Sequence, residues 1–117
     1  MSETDPDCPF CRIVAGSIPA TVVAESEHSL AFRDLDPQAP THVLVVPRRH
    51  EPAVVDLAAR EPAEAADLLS LAGTVARSEG LDGGYRLVVN TGEDGQQTVP
   101  HVHVHVLGGR PLTWPPG

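Results

Sequence analysis

The sequence contains no lysine. Its 8 basic residues are all arginine, against 16 acidic ones, and the formal net charge is -8. That balance excludes non-specific binding to nucleic acid, which needs a basic surface to displace counterions from the phosphate backbone. Arg48-Arg49 is the only adjacent basic pair, too little to track a backbone. Aromatic residues make up only 3% of the chain, so Ala, Val and Leu must fill the core. No apolar run approaches the ~20 residues that cross a bilayer, and no signal-peptide pattern opens the chain. It therefore reads as a cytosolic protein with no membrane partner. Neither a P-loop (G-x-x-x-x-G-K-S/T) nor a G-x-G-x-x-G occurs, so any nucleotide is held by other means. Cysteine is nearly absent too: only Cys8 and Cys11 are present. In a cytosolic chain, Cys-x-x-Cys reads as a metal half-site or a redox pair rather than a structural disulfide. A redox pair belongs at a helix start in a thioredoxin-like βαβ unit, and no such unit surrounds this one. A metal half-site is favoured, and it needs two further ligands.

What is present fits one domain, residues 1–117, with a flexible tail over 1–7 and a proline-rich tail over 110–117 around Trp114. Cys8 to Ala15 reads as a short helix ended by Gly16. Thr21 to Glu25 and Ser29 to Arg33 read as a strand hairpin, with a polar turn at Glu25 to His28. His42 to Val46 is a third strand stopped by Pro47. A short helix fits within Pro52 to Arg60. In Pro62 to Ser78, Ala65, Leu68, Ala72, Val75 and Ala76 recur at three and four, which predicts an amphipathic helix with Glu64, Asp67 and Arg77 outward. Tyr85 to Val89 is a fourth strand, and the Asn90 to Gln97 loop leads into a fifth. The expected class is α+β, with a five-stranded, mostly antiparallel sheet and helices largely on one face.

That fifth strand carries the most informative pattern. In His101-Val-His-Val-His-Val-Leu the period of 2 predicts a strand with three imidazoles on one face and Val102, Val104 and Val106 buried on the other. A half-buried strand whose polar face happens to be histidine is the plainer alternative, but wet faces are usually Thr, Lys, Glu or Arg. Residues two apart along a strand are separated by ~6.7 Å and residues four apart by ~13 Å. A zinc ion holds nitrogens at ~2.0–2.1 Å, so no single ion can hold both His101 and His105 without distorting the strand. The spacing implies a division of labour. A row of neutral imidazoles suits attack on phosphorus: one attacks while its neighbour donates to the phosphoryl oxygens. Asn90, Gly92, Gly95 and Thr98 can supply further donors from the adjoining loop.

The motif resembles the His-φ-His-φ-His-φ-φ signature of the histidine triad (HIT) superfamily. PFCRIVAGSIPA, LAFRDLDPQAPTHVLVVPRRH, YRLVVNTGEDGQQTVPHVHVHVLGGR and the closing WPPG extend the likeness to its nucleotide-binding branch along nearly the whole chain. The resemblance implies that His103 is the nucleophile forming a nucleotidyl-histidine, that His105 contacts the α-phosphate and that His42 supports the triad. It places the base in an apolar slot of Phe10, Ile13, Ile18, Phe32 and Leu35, the ribose on Asp34, and the phosphate and leaving group near Asn90, Gln97 and Thr98. Phe32 and Ile13 also read as plain core, and Asp34 as a turn residue. Members with Cys-x-x-Cys bind zinc through a set that corresponds here to Cys8, Cys11, His50 and His101, a closed and structural Cys2His2 shell. The family is homodimeric, with two sheets joined into one of ten strands and the C-terminal tail near the partner's active site. Three positions depart from its usual pattern: Thr98 replaces Ser, Gln96-Gln97 replaces Gly-Gln, and Pro100 replaces an aromatic residue.

The function this implies is hydrolysis of a purine nucleoside 5′-phosphoramidate or aminoacyl-adenylate to the nucleoside monophosphate. Dinucleoside polyphosphate hydrolysis is the second enzymatic reading. A non-enzymatic nucleotide-binding or scaffolding role is the rival from another class.

Overall fold

A computed structural model describes residues 4–117. The elements run α1 (Pro9–Val14), β1 (Val22–Glu25), β2 (Ser29–Arg33), β3 (Thr41–Pro47), α2 (Val54–Arg60), α3 (Pro62–Ser78), β4 (Tyr85–Val88) and β5 (Val104–Gly108). All strand pairs are antiparallel, and they form one five-stranded sheet in the order β1-β2-β3-β5-β4. This is the expected α+β architecture. No helix of the described residues is long and apolar enough to cross a membrane.

Alternation divides the sheet between two cores. Ala31, Val43, Val45, Val104 and Val106 face α2 and α3, where Leu57, Leu68, Leu71, Ala72 and Val75 complete one cluster. Leu30, Phe32, Leu44 and Val46 face the other way and pack against Cys8, Phe10 and Cys11. The helices thus take both faces, with the short α1 alone covering the second. Full burial of each valine contributes about 1.5 kcal/mol or more, and Val102, Val104 and Val106 are all inside. α1 is started by Cys8, whose sulfur accepts the Cys11 N–H, and by Pro9 in its first turn. Gly16, at φ 80°, lets the chain leave α1 through a left-handed turn.

Three differences from the sequence reading matter. Glu64 and Asp67 do not point to solvent. Glu64 is buried and accepts from Arg49 Nε and Nη2 at 3.1 and 2.9 Å, and Asp67 accepts from Ser26 Oγ and the His28 N–H in the β1–β2 turn. Helical periodicity identifies the polar stripe but not what folds over its edge. Second, β5 begins at Val104, so His101 and His103 precede the ladder rather than lie in it. Continuing the β3–β5 register, in which Val45 faces Val104, would set Pro47 opposite Val102, and Pro47 has no N–H to offer. The Val102 N–H turns instead to Glu51 O at 2.8 Å.

Third, the described part of the N-terminal tail is bonded to α1, and the C-terminal tail touches β4. Of the tail expected over 1–7, residues 1–3 lie outside the described residues. In the remainder, Asp5 O accepts the Cys8 N–H at 3.0 Å and Pro6 O accepts Arg12 Nε at 2.7 Å. At the other end, Arg86 donates to Thr113 O at 2.9 Å and its guanidinium lies 5.9 Å from the Trp114 ring centroid, which leaves Trp114 exposed.

Candidate functional site

Two centres lie at the start of β5, and His101 belongs to the first. It is fully buried, and its Nε2–H donates to Pro47 O at 2.9 Å, which leaves a lone pair on Nδ1. That nitrogen lies 3.3 Å from Cys8 Sγ, 3.5 Å from Cys11 Sγ and 3.2 Å from His50 Nδ1, while Cys11 Sγ and His50 Nδ1 are 3.4 Å apart. A tetrahedral zinc with bonds of ~2.3 Å to sulfur and ~2.0–2.1 Å to nitrogen sets its donors ~3.3–3.7 Å apart. The four residues therefore fit a closed Cys2His2 shell. Burial lowers the His101 imidazolium to about 4, helped by His50 and His103 and opposed by the Pro47 carbonyl, so the ring is in its neutral, ligating form. Burial also pushes the Cys11 thiol up to about 11, so taking up a metal there displaces a proton. The outer contacts suit such a site: the Asp5 N–H donates to Cys11 Sγ at 3.3 Å, and Asp5 Oδ2 lies 4.0 Å from His50 Nε2.

The second centre is built on the next two histidines and on β3. His103 Nδ1–H donates to His101 O at 2.8 Å, so its Nε2 carries a bare lone pair. The Gln38 N–H donates to His42 Nδ1 at 3.0 Å and thereby assigns the His42 proton to Nε2. That Nε2–H meets His105 Nδ1 at 2.8 Å and lies 3.4 Å from Asp34 Oδ2. His105 accepts on Nδ1, which places its own proton on Nε2. Burial lowers the His105 imidazolium to about 4, with His103 and His42 adding to the shift and Asp34 opposing it. The His103 and His105 rings are 5.0 Å apart at their centroids. A bare nitrogen and an N–H donor thus stand side by side, each tautomer fixed by a partner behind it.

Both rings open on a cavity of about 400 Å³ between α1 and the sheet. Of the base slot and sugar residues expected from sequence, Phe10, Ile13, Ile18, Phe32, Leu35 and Asp34 all line it, as does Thr98. Leu35 is almost wholly exposed, at the cavity mouth. His42 lies behind the wall, joined to it through Asp34 and His105. Asn90 is turned into its own loop, and Gln97 is turned toward that loop and Pro52. Asn90 Nδ2 donates to Gly95 O at 2.7 Å; Gln97 accepts from the Gly92 N–H at 3.0 Å and donates to Pro52 O at 2.7 Å. His50 and His101 are brought to the two cysteines from positions 39 and 90 residues downstream of Cys11.

Sequence reasoning missed Pro9, Pro19, Ala20, Arg33, Leu44 and Val99, which also line the cavity. A signal existed for Leu44, which is two residues beyond His42 on a strand and must share its face. Arg33 carried none, because its guanidinium is drawn off to Glu79 by two bonds of 2.9 Å.

Comparison with known proteins agrees with this geometry. The HIT domain model matches residues 15–112. A 14 kDa zinc-binding protein of Zea mays is 49% identical, over 92% of this chain and 86% of its own length. An uncharacterized HIT-like protein of Synechococcus elongatus is 47% identical over the full length of both. Among solved structures, a HIT family hydrolase from Legionella pneumophila superposes with a TM-score of 0.90 at 49% identity, covering 95% of this chain and 100% of that one. A histidine triad protein from Clostridium difficile gives a TM-score of 0.88 at 39% identity, over 97% of each. With the domain model spanning most of its length and relatives matching nearly end to end, the chain belongs to the HIT-domain family.

Proposed function

We propose that this chain is a nucleoside phosphoramidase, a hydrolase that releases a purine nucleoside 5′-monophosphate through a nucleotidyl-His103 intermediate. The observation that carries the reading is the hydrogen bond from His103 Nδ1 to His101 O, which leaves Nε2 bare on the cavity wall. A neutral imidazole nitrogen is a nucleophile at neutral pH and a good leaving group once phosphorylated. The base enters between Phe10, Ile13 and Phe32, and the ribose hydroxyls reach Asp34. His103 Nε2 attacks the α-phosphorus; the Nε2–P bond forms as the bond from phosphorus to nitrogen breaks, and the nitrogen leaves as the neutral amine with a proton taken from solvent, which the hydrolytic water later returns. His105 Nε2–H donates to the phosphoryl oxygens as charge develops on them. Water then attacks phosphorus, the Nε2–P bond breaks, and His103 is regenerated. Thr98, Asn90 and Gln97 belong to the loop beside the leaving group, and His42 holds His105.

In this reading the metal is zinc, held by Cys8, Cys11, His50 and His101; the maize relative named for zinc binding supports it. When bound, zinc cross-links α1 to the segment before β5 and takes no part in the chemistry, since its four ligands close the shell. The reading includes a homodimer joined through β4, one of the two edge strands of the sheet, which exposes Tyr85 and Leu87.

The test is hydrolysis of adenosine 5′-phosphoramidate by the wild type and by His103→Ala, with mass spectrometry for a nucleotidyl adduct on the trapped protein. Loss of turnover and adduct together supports the mechanism; equal rates overturn it. A higher kcat/KM on diadenosine polyphosphates would reassign the substrate, and binding of adenosine monophosphate without turnover of either substrate would reassign the class.

A further inference from the structure

We propose that His101 is a positioning residue that couples the metal centre to the nucleophile, so that occupancy of the Cys8, Cys11, His50 and His101 cluster sets the alignment of His103. The proposal rests on the reading of His103 as the nucleophile, and it concerns how that residue is held.

His101 serves both centres with different atoms. Its Nδ1 points into the cluster, and its backbone oxygen, 2.8 Å from His103 Nδ1, fixes the tautomer and ring of His103. Inside a sheet, such a carbonyl would be held by ladder bonds on either side. Here it is not, because the β3–β5 ladder stops at Val104. Among the described residues, His101 is tied by a tight turn from its own N–H to Val99 O, by the neighbouring Val102 N–H to Glu51 O and by its side chain. The side chain is the anchor that reaches across the chain: Nε2 to Pro47 O on one side, and the two cysteines and His50 on the other. With the metal present, rotation of the imidazole is blocked at both nitrogens, and through two side-chain torsions the peptide plane carrying the carbonyl is blocked as well. With the metal removed, the ring keeps the Pro47 bond and its edge-on packing against Phe10, but Nδ1 is left with no more than a weak thiol hydrogen bond in place of a ligand bond. Phe10 acts in the same direction, because the helix that bears it is held by Cys8 and Cys11 and its ring stands edge-on to His103 at 5.1 Å. A misplacement of ~1 Å in a reacting group costs on the order of 100-fold in rate, so a modest loosening of His101 is enough to matter.

The His42 Nε2–H bonded to His105 supplies an internal reference. It joins β3 to β5 within the ladder and touches no member of the cluster. The experiment is nitrogen-15 NMR of the full chain, first stripped of metal and then titrated with Zn2+ in the absence of substrate. Zinc should slow solvent exchange of the His103 Nδ1–H at least tenfold while leaving the His42 Nε2–H unchanged, and kcat should rise at least tenfold over the same titration. Cys11→Asp, which keeps an anionic ligand, should retain the zinc response; Cys11→Ala should lose it. Equal protection of His103 with and without zinc overturns the coupling. Parallel loss at His103 and His42 also overturns it, because the metal would then hold the fold in general. Exchange is read without turnover, so a protein that hydrolyses no phosphoramidate would sink the functional reading and leave this result standing.

Discussion

His42 Nε2 lies 2.8 Å from His105 Nδ1, and the Gln38 N–H on the far side of His42 decides which of the two nitrogens carries the shared proton. The bond orients His105 so that its remaining N–H faces the cavity. In His42→Ala, His105 Nδ1 loses its donor and the ring is free to turn. We expect kcat to fall about 10- to 100-fold, less than the roughly 10²–10⁴-fold that an acid–base group itself contributes, with KM little changed because His42 does not line the cavity. Steady-state kinetics on a phosphoramidate check this, and a rise in KM alone would contradict it.

The same pair gives the protein a pH dependence. The His105 pKa is lowered from 6.5 to about 4 in the folded state. Between those values the unfolded chain binds the proton and the folded one does not. Folding stability should therefore be complete above about pH 6.5 and decline as the pH falls toward about 4. The depressed carboxyls of Glu64 and Glu79 extend the loss to lower pH. Thermal unfolding at a series of pH values, with the metal state held constant, should show a shallower slope in His105→Asn. An identical slope would remove His105 as its source.

Metal removal should lower the melting temperature. A ligand present at about 100 times its Kd stabilises by ~2.7 kcal/mol, and for a domain of this size ~1 kcal/mol shifts Tm by ~4 °C or more. A drop of about 10 °C on chelation is expected, reversed by added Zn2+. His50→Ala should melt near the chelated wild type and respond little to either treatment.

Gln96 occupies a left-handed conformation at φ 62° in the loop before β5. That conformation costs a side-chain-bearing residue ~1–2 kcal/mol, and glycine returns ~0.5–1 kcal/mol of it as backbone entropy. Gln96→Gly should therefore stabilise the protein by about 0.5 kcal/mol, measurable by urea unfolding. A destabilised variant would mean that the Gln96 side chain contributes more than its backbone costs.

Local pattern determined much of this protein. Alternation in His101 to Val106 placed imidazoles and valines on opposite faces, the three-and-four spacing marked Pro62 to Ser78 as a helix, and Pro47 marked the end of a strand, though β3 includes it and runs one residue past Val46. These are short-range effects of backbone geometry and burial, and a sequence displays them directly. That His101 and His105 would belong to different groups was legible too, because strand spacing forbids a common ion for them; His101 lies with Cys8, Cys11 and His50, and His105 with Asp34 and His42.

Other features depend on which distant segments meet. Glu64 and Asp67 looked solvated until Arg49 and the β1–β2 turn folded against them. The tautomers of His42, His103 and His105 follow from Gln38 N–H, His101 O and one another, partners that no sequence spacing reveals. The start of β5 at Val104, rather than at His101, follows from Pro47, which a continued register would set opposite Val102 with no N–H to give. Residue types and their period thus fixed what the histidine row is made of. Only the tertiary structure decided that its first member would leave the ladder, because a hydrogen bond needs two partners and the sequence shows them one at a time.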